Sequence, residues 1–174
     1  HEVECMWSYM EQCKPYVAVI STPCTGMAGW KHLNSLIHAE SFNASRAISE
    51  PLSDLGAEVA LFQLAHDRHF IDEHPSKSDK YYRPKWQLVL QDPRVRQVVV
   101  DQCQYGQEVL VGQYLGCPIR KATGFMSNAP EVLNSLRRRC TGKSGRCSRR
   151  SGGEHAICSG KIASDAQRYP LDLC

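Results

Sequence analysis

The chain has no apolar run long enough to cross a bilayer. Its longest, around Val17–Ile20 and Val98–Val100, fall far short of the roughly 20 residues a spanning helix needs. Residues 1–14 lack a basic stretch followed by an apolar one, which excludes a secretory signal there. There is no internal repeat, and no acidic residue interrupts the segment Arg137–Arg150. An even cysteine count is also missing. Nine cysteines cannot all pair within one chain, and they are spread along it rather than gathered in a short loop-rich framework. The expectation is a reducing, intracellular compartment, with some thiols structural or metal-bound.

What is present suits a single globular domain. The 174 residues are 42% hydrophobic and 22% charged, enough apolar surface for a core without disulfides. The chain starts at His1 rather than Met, so it is read as an excised piece, with a preceding segment as a candidate partner. Asn43-Ala44-Ser45 is a glycosylation sequon that matters only on secretion.

Periodicity places the elements. Val3, Met6, Trp7 and Met10 predict a helix over residues 2–13, stopped by Pro15. Tyr16–Ser21 reads as a buried strand leading into the turn-rich loop Thr22–Met27. Trp30–His38 reads as one or two helical turns. Leu52, Leu55, Val59 and Phe62 form one stripe of a helix over Ala47–His66, with Pro51 in its first turn and His66 and His69 near its end. Phe70-Ile71 is a short strand running into Asp72–Pro75, and Pro84–Leu90 is a helix. Val95–Val100 and Ile119–Met126 are strands, and Ala129–Arg139 is a helix with Asn128 as its N-cap. Tyr169–Leu171 is expected to pack back on the body.

This alternation predicts an α/β fold: one small, mostly parallel, Rossmann-like sheet flanked by helices, spanning residues 1–139. An irregular Cys/Arg-rich tail spans residues 140–174. Ligands of such sheets sit beyond the carboxyl ends of the strands, which selects Thr22–Met27, Asp72–Pro75 and Asp101–Gly106. Cys24 offers a thiol that nearby positive charge can activate, and Glu73 a carboxyl able to hold a proton. Asp101 and Gln102 are placed to hydrogen-bond a ligand.

Thr22-Pro23-Cys24 after an apolar strand, with Glu73 and Pro75 after the next, resembles the core of cytosine-C5 DNA methyltransferases. The resemblance implies Cys24 as the nucleophile toward C6 of a flipped base and Glu73 as the acid holding the ring nitrogen and amino group. Thr22, Pro23, Asp101, Gln102 and Arg120 become substrate-binding positions. The match spans residues 15–105 and has departures. No Gly-rich loop precedes Cys24, so S-adenosylmethionine enters only if a missing N-terminal segment supplies its site. Glu73 is followed by His-Pro rather than Asn-Val, and Arg120 is a loose stand-in for the family's arginine motif. A cysteine hydrolase pairing Cys24 with His74 lacks an orienting third residue.

A second resemblance covers nearly the whole chain. Asp101-Gln102-Cys103, Tyr105-Gly106, Lys121–Asn128, Arg139-Cys140 and Ala166–Pro170 with Cys174 are similar to a domain of Copia-type retroelement polyproteins of algal protists. It implies origin in a mobile element more than it implies a reaction.

The tail carries its own chemistry. Arg137, Arg138, Arg139, Lys143, Arg146, Arg149 and Arg150 form a block that attracts polyanions, with a solvated loop as the alternative. Cys140, Cys147, His155 and Cys158 make up the ligand set of a structural zinc, with Cys103 or Cys174 as substitutes. Disulfides and free thiols stay open as alternatives. Two functions follow. One is a methyltransferase-like enzyme acting on nucleic acid. The other is a non-catalytic nucleic-acid-binding or structural module that joins other subunits.

Overall fold

The computed structural model describes residues 1–27 and 31–174, with the side chains of residues 31–33 left aside. Four strands, β1 (Val17–Ile20), β2 (His69–Pro75), β3 (Arg96–Asp101) and β4 (Ala122–Ser127), form one sheet in the order β1-β2-β4-β3. Around it lie α1 (Glu2–Cys13), α2 (Lys31–Ile37), α3 (Ala39–Ala65), α4 (Pro84–Gln91), α5 (Pro130–Ser135) and α6 (Gly160–Asp165).

The α/β class stands, but the sheet is not mostly parallel. β1 and β2 run parallel, in register from Val17 opposite His69 to Ile20 opposite Asp72. β4 inserts antiparallel between β2 and β3. The cause lies in the chain between β3 and β4. A parallel neighbour needs a crossover, usually a helix, and residues 106–121 form none, so the strand simply returns. Because β4 opposes both neighbours, β3 points the same way as β1 and β2, and the three carboxyl ends share one rim.

Alternation along the strands splits the core. Phe70 and Met126 face a cluster with Ile20, Ala60, Leu64, Trp86 and Val89 beneath α1, α3 and α4. Phe125 and Val100 face Tyr105, Leu133 and Leu136 on the other side. Contact between α3 and β1 depends on Gly56, where a Cβ would lie 2.8 Å from the Ile20 side chain. Trp86, wholly buried, donates its indole N–H to Ser53 of α3 at 3.0 Å.

Several boundaries differ from those the pattern predicts. α3 begins at Ala39 and carries Pro51 inside it rather than in its first turn, so the Asn43 sequon is helical. β2 runs on through Asp72, Glu73 and His74, with the Asp72 carboxylate engaged by Lys80 and Tyr81. α5 ends at Ser135, and the chain then follows β3, with the Asp101 N–H bonded to the Arg138 carbonyl at 3.1 Å. Asn128 is not its N-cap. Its side chain ties the start of β2, accepting from the Phe70 N–H at 3.1 Å and donating to the Arg68 carbonyl at 2.9 Å. Trp30, expected in the helical turns after β1, lies outside the described residues. Among the described residues no helix is long and apolar enough to cross a membrane.

Candidate functional site

The rim carries two separate constellations. The first is a cleft of about 370 Å³ lined by Cys24, Glu73, Lys121, Gln167, Tyr169 and the Ser21–Pro23 segment. β1 delivers Cys24 through a turn closed by the Met27 N–H on the Cys24 carbonyl at 2.9 Å, and the adjacent β2 delivers Glu73. Ser21 donates to one Glu73 oxygen at 3.1 Å; the other, Oε1, is buried without a hydrogen-bond partner. The Tyr169 hydroxyl faces this carboxylate. Burial raises the Cys24 thiol above its ordinary value, and the Lys121 ammonium opposes that rise. Lys121 is itself held in place: it donates to the Ala166 carbonyl at 3.1 Å and sits 5.4 Å from the Tyr169 ring centre. Burial, and then the Glu73 carboxylate in front of it, push the Tyr169 hydroxyl well above the usual phenol range.

A buried polar floor supports this cleft. Asp72 accepts from Lys80 Nζ at 2.5 Å and from the Tyr81 hydroxyl at 2.9 Å, and Lys80 also reaches Thr22 Oγ1 at 3.0 Å. The Lys80 ammonium lies 4.5 Å from the Trp86 ring centre. Both members of the Asp72–Lys80 pair are fully buried. Burial pushes the Asp72 carboxyl up to about 6 and pulls the Lys80 ammonium down, each against the attraction of its partner.

His74, next along β2, is buried too, and burial with the nearby Lys80 charge lowers its pKa to about 3. An imidazole kept neutral in the fold takes up a proton on unfolding. It therefore contributes stability that is present above pH 6.5 and lost as the pH falls toward 3. The raised Asp72 carboxyl has the opposite slope between 3.8 and about 6, so only a comparison isolates the histidine. Relative to a His74→Phe variant, the wild-type chain should lose up to about 1.4 kcal/mol per pH unit below pH 6.5. Urea midpoints measured from pH 7 to pH 4 read this directly; parallel curves would reject it.

Asp101 is at the same rim but outside the cleft. Its carboxylate accepts from Arg139 Nε at 2.9 Å and from the Cys140 N–H at 2.8 Å, with Arg120 at 3.6 Å. Gln102 is buried and donates to Thr123. Asp101 thus binds the tail to β3 and Gln102 ties the turn after β3 to β4, neither lining the cleft, and Arg120 joins Asp101 by donating to the Cys140 carbonyl at 3.2 Å. Lys121, Gln167 and Tyr169, which do line it, went unread. The prediction that Tyr169–Leu171 packs back was the available signal.

The second constellation is a buried group of Cys103, Cys140, Cys147 and His155, whose ligand atoms all lie within 4.8 Å of one another and could hold a metal ion. Cys140 Sγ is 3.9 Å from Cys147 Sγ and 3.6 Å from His155 Nε2. A tetrahedral ion with metal–sulfur bonds of about 2.3 Å and metal–nitrogen bonds of about 2.0 Å requires edges of about 3.8 and 3.5 Å. Backbone N–H groups already point at the sulfurs, Ser148 at Cys140 (3.5 Å) and Arg149 at Cys147 (3.4 Å). The turn that makes this possible needs Gly142, where a Cβ would lie 1.9 Å from the Arg146 carbonyl oxygen. Burial alone would raise the Cys140 thiol. Hydrogen bonds from Ser148, Gly142 and Cys147 outweigh it and hold the thiol at about 6.

Cys158 is not a member of this group. Ala156 pairs with Ile119 as an isolated bridge, and Cys158 then packs against the cluster of Val109, Ile119, Ala156 and Ala166. Cys103, in the turn after β3, takes its place. Cys174 is exposed and apart. Of the basic block, Arg139 and Arg149 are paired with Asp101 and Glu108, and Arg138 lies over the Tyr105 ring. Arg137, Lys143, Arg146 and Arg150 are exposed. No family model, no curated protein and no solved structure matches the chain.

Proposed function

We propose that the cleft at the ends of β1 and β2 receives an unpaired cytosine of a polynucleotide, in a domain of mobile-element origin related to the cytosine-C5 methyltransferases. The observation that carries this reading is that Cys24 and Glu73 line one cavity at the ends of adjacent parallel strands. Their chemistry is complementary. The Cys24 sulfur adds to ring carbon C6, and the ring electrons move toward N3, where the Glu73 carboxylic acid supplies a proton. Carbon C5 becomes nucleophilic. A cavity of about 370 Å³ falls within the range of small-ligand sites and accepts a base only once it has left a duplex stack. The Cys24 thiol gives up its proton to solvent before it attacks; burial opposes that loss, and Lys121 is the cation lining the cleft that favours the thiolate. S-adenosylmethionine would supply the methyl group, and its site belongs to a segment other than these residues.

For the Cys/His group the reading is zinc. Three thiolates and one imidazole are a structural zinc donor set, and four protein ligands leave no open position for catalysis.

Occupancy of the cleft is testable through its own thiol. A single-stranded oligonucleotide containing cytosine should slow iodoacetamide alkylation of Cys24 at least about fivefold, a modest occupancy on the mass-action scale. Peptide mapping separates Cys24 from the exposed Cys5, Cys13 and Cys174. Equal protection by an oligonucleotide lacking cytosine would reject base recognition.

A further inference from the structure

We infer that the Cys/His group and the arginine-bearing loop around it form one surface that grips the backbone of a single-stranded polynucleotide. This rests on the base-binding reading of the cleft for its direction, and on separate residues for its chemistry.

The loop has little to hold it apart from the ligand cluster. Residues 136–159 contain no helix or strand beyond isolated bridges, and the buried cluster inside consists of Cys103, Cys140 and Cys147. Ordering a backbone costs about 1–2 kcal/mol per residue, which three small thiols do not offset by burial. A bound metal supplies that free energy, so the loop's shape depends on it.

The charges divide by role. Arg139 and Arg149 are spent on Asp101 and Glu108, which dock the loop on the body. Arg137, Lys143, Arg146 and Arg150 are exposed, and none forms an ion pair among the described residues. Zinc with three thiolates carries a net charge of about −1, too little to neutralise four outward cations. The surface is therefore a polyanion site by charge.

Its position selects the polyanion. Arg120 donates to the Cys140 carbonyl, at the edge of the metal group, and the next residue, Lys121, lines the cleft. Two consecutive residues, Arg120 facing Asp101 and Lys121 lining the cleft, thus join the loop to the mouth where a base would enter. A single strand can lay its phosphates on the loop and turn one base into the cleft, where the ring nitrogen and amino group meet Glu73.

The test uses the full chain loaded with zinc and a fluorescent oligothymidylate, read by anisotropy at several salt concentrations. Oligothymidylate contains no cytosine, so the grip is measured apart from cleft chemistry. Replacing Arg137, Lys143, Arg146 and Arg150 together by Gln should weaken binding at least about tenfold. It should also flatten the slope of log K against log salt by about 3, close to 0.7 for each of four phosphate contacts. A Cys140→Ser/Cys147→Ser chain, with metal loss confirmed by elemental analysis, should show the same loss. Full affinity and slope in the Gln variant would overturn the proposal, and so would polyglutamate competing as well as oligothymidylate at equal charge. Should the Gln variant lose binding while Cys24 is unprotected by cytosine, the surface stands and the cleft reading falls.

Discussion

Cys140→Ser should remove the metal and unfold the tail while leaving the sheet. Cys140 sits at the centre of the group, in contact with Cys147 and His155, and its amide is fixed by Asp101. Structural zinc sites carry apparent binding free energies of about 10–16 kcal/mol, and a site short of one thiolate loses most of that. Elemental analysis should find about one zinc per wild-type chain and close to none in the variant. Limited proteolysis should then cut near Lys143–Arg150 while a fragment containing β1–β4 survives. A Cys158→Ser chain is the control and should keep its metal, since Cys158 packs against the cluster of Val109, Ile119, Ala156 and Ala166. Metal retained by the Cys140 variant, or lost from the Cys158 variant, would show the ligand set to be wrong.

The second large effect is in the floor of the cleft. Lys80→Met should cost about 3–5 kcal/mol, because it strands the fully buried Asp72 carboxylate without its cation. Tyr81 still donates one hydrogen bond, which is too little to offset the loss of an ion pair in a dry site. The sign with pH follows. Without Lys80 the Asp72 carboxyl is pushed still higher than about 6, so the cost is greatest near neutrality and shrinks as the pH falls and the acid protonates. Adding Asp72→Asn to Lys80→Met should recover much of the loss, since the two residues are directly coupled. Urea denaturation at pH 7 and pH 5 measures all three chains. An uncoupled pair, with losses that simply add, would mean the floor is held by other contacts.

Much of this was legible along the chain. The helices α1 and α4 and the strands β1 and β3 follow from spacing, but β1 is an edge strand with Tyr16, Val17 and Val19 exposed and only Ile20 buried, not the buried strand that its apolar run predicts. The rim followed as well: three strands ending in Cys24, Glu73 and Asp101 point the same way. What period-two alternation cannot encode is strand direction, so the reversal of β4 was invisible except through the missing crossover helix. The polar end of β2 reads as a loop because Asp72 and His74 are costly to bury, and the residues that make it affordable, Lys80 and Tyr81, come later in the chain.

The metal group shows the same limit. His155-x-x-Cys158 has chelating spacing, yet the bridge of Ala156 to Ile119 turns Cys158 elsewhere. Cys103 stands far ahead of Cys140 and joins only because the tail returns along β3, guided by Asp101. Of the substrate positions expected at the rim, Thr22 and Pro23 line the cleft, Asp101 and Arg120 anchor the tail, and Gln102 bonds Thr123 of β4.

The proposed joint action of Cys24 and Glu73 on a cytosine ring is best tested by hydrogen exchange at C5. Addition of the thiolate at C6, protonation at C5 from solvent and reversal replace the C5 hydrogen without any methyl donor. With a cytosine-containing single strand in D2O, mass spectrometry should show deuterium entering at C5 with the wild-type chain. Cys24→Ser should abolish it, and Glu73→Gln should slow it by about 100-fold or more, the scale of a lost general acid. Exchange that persists in Cys24→Ser, or none with the wild-type chain while the oligonucleotide protects Cys24, would contradict nucleophilic use of this thiol.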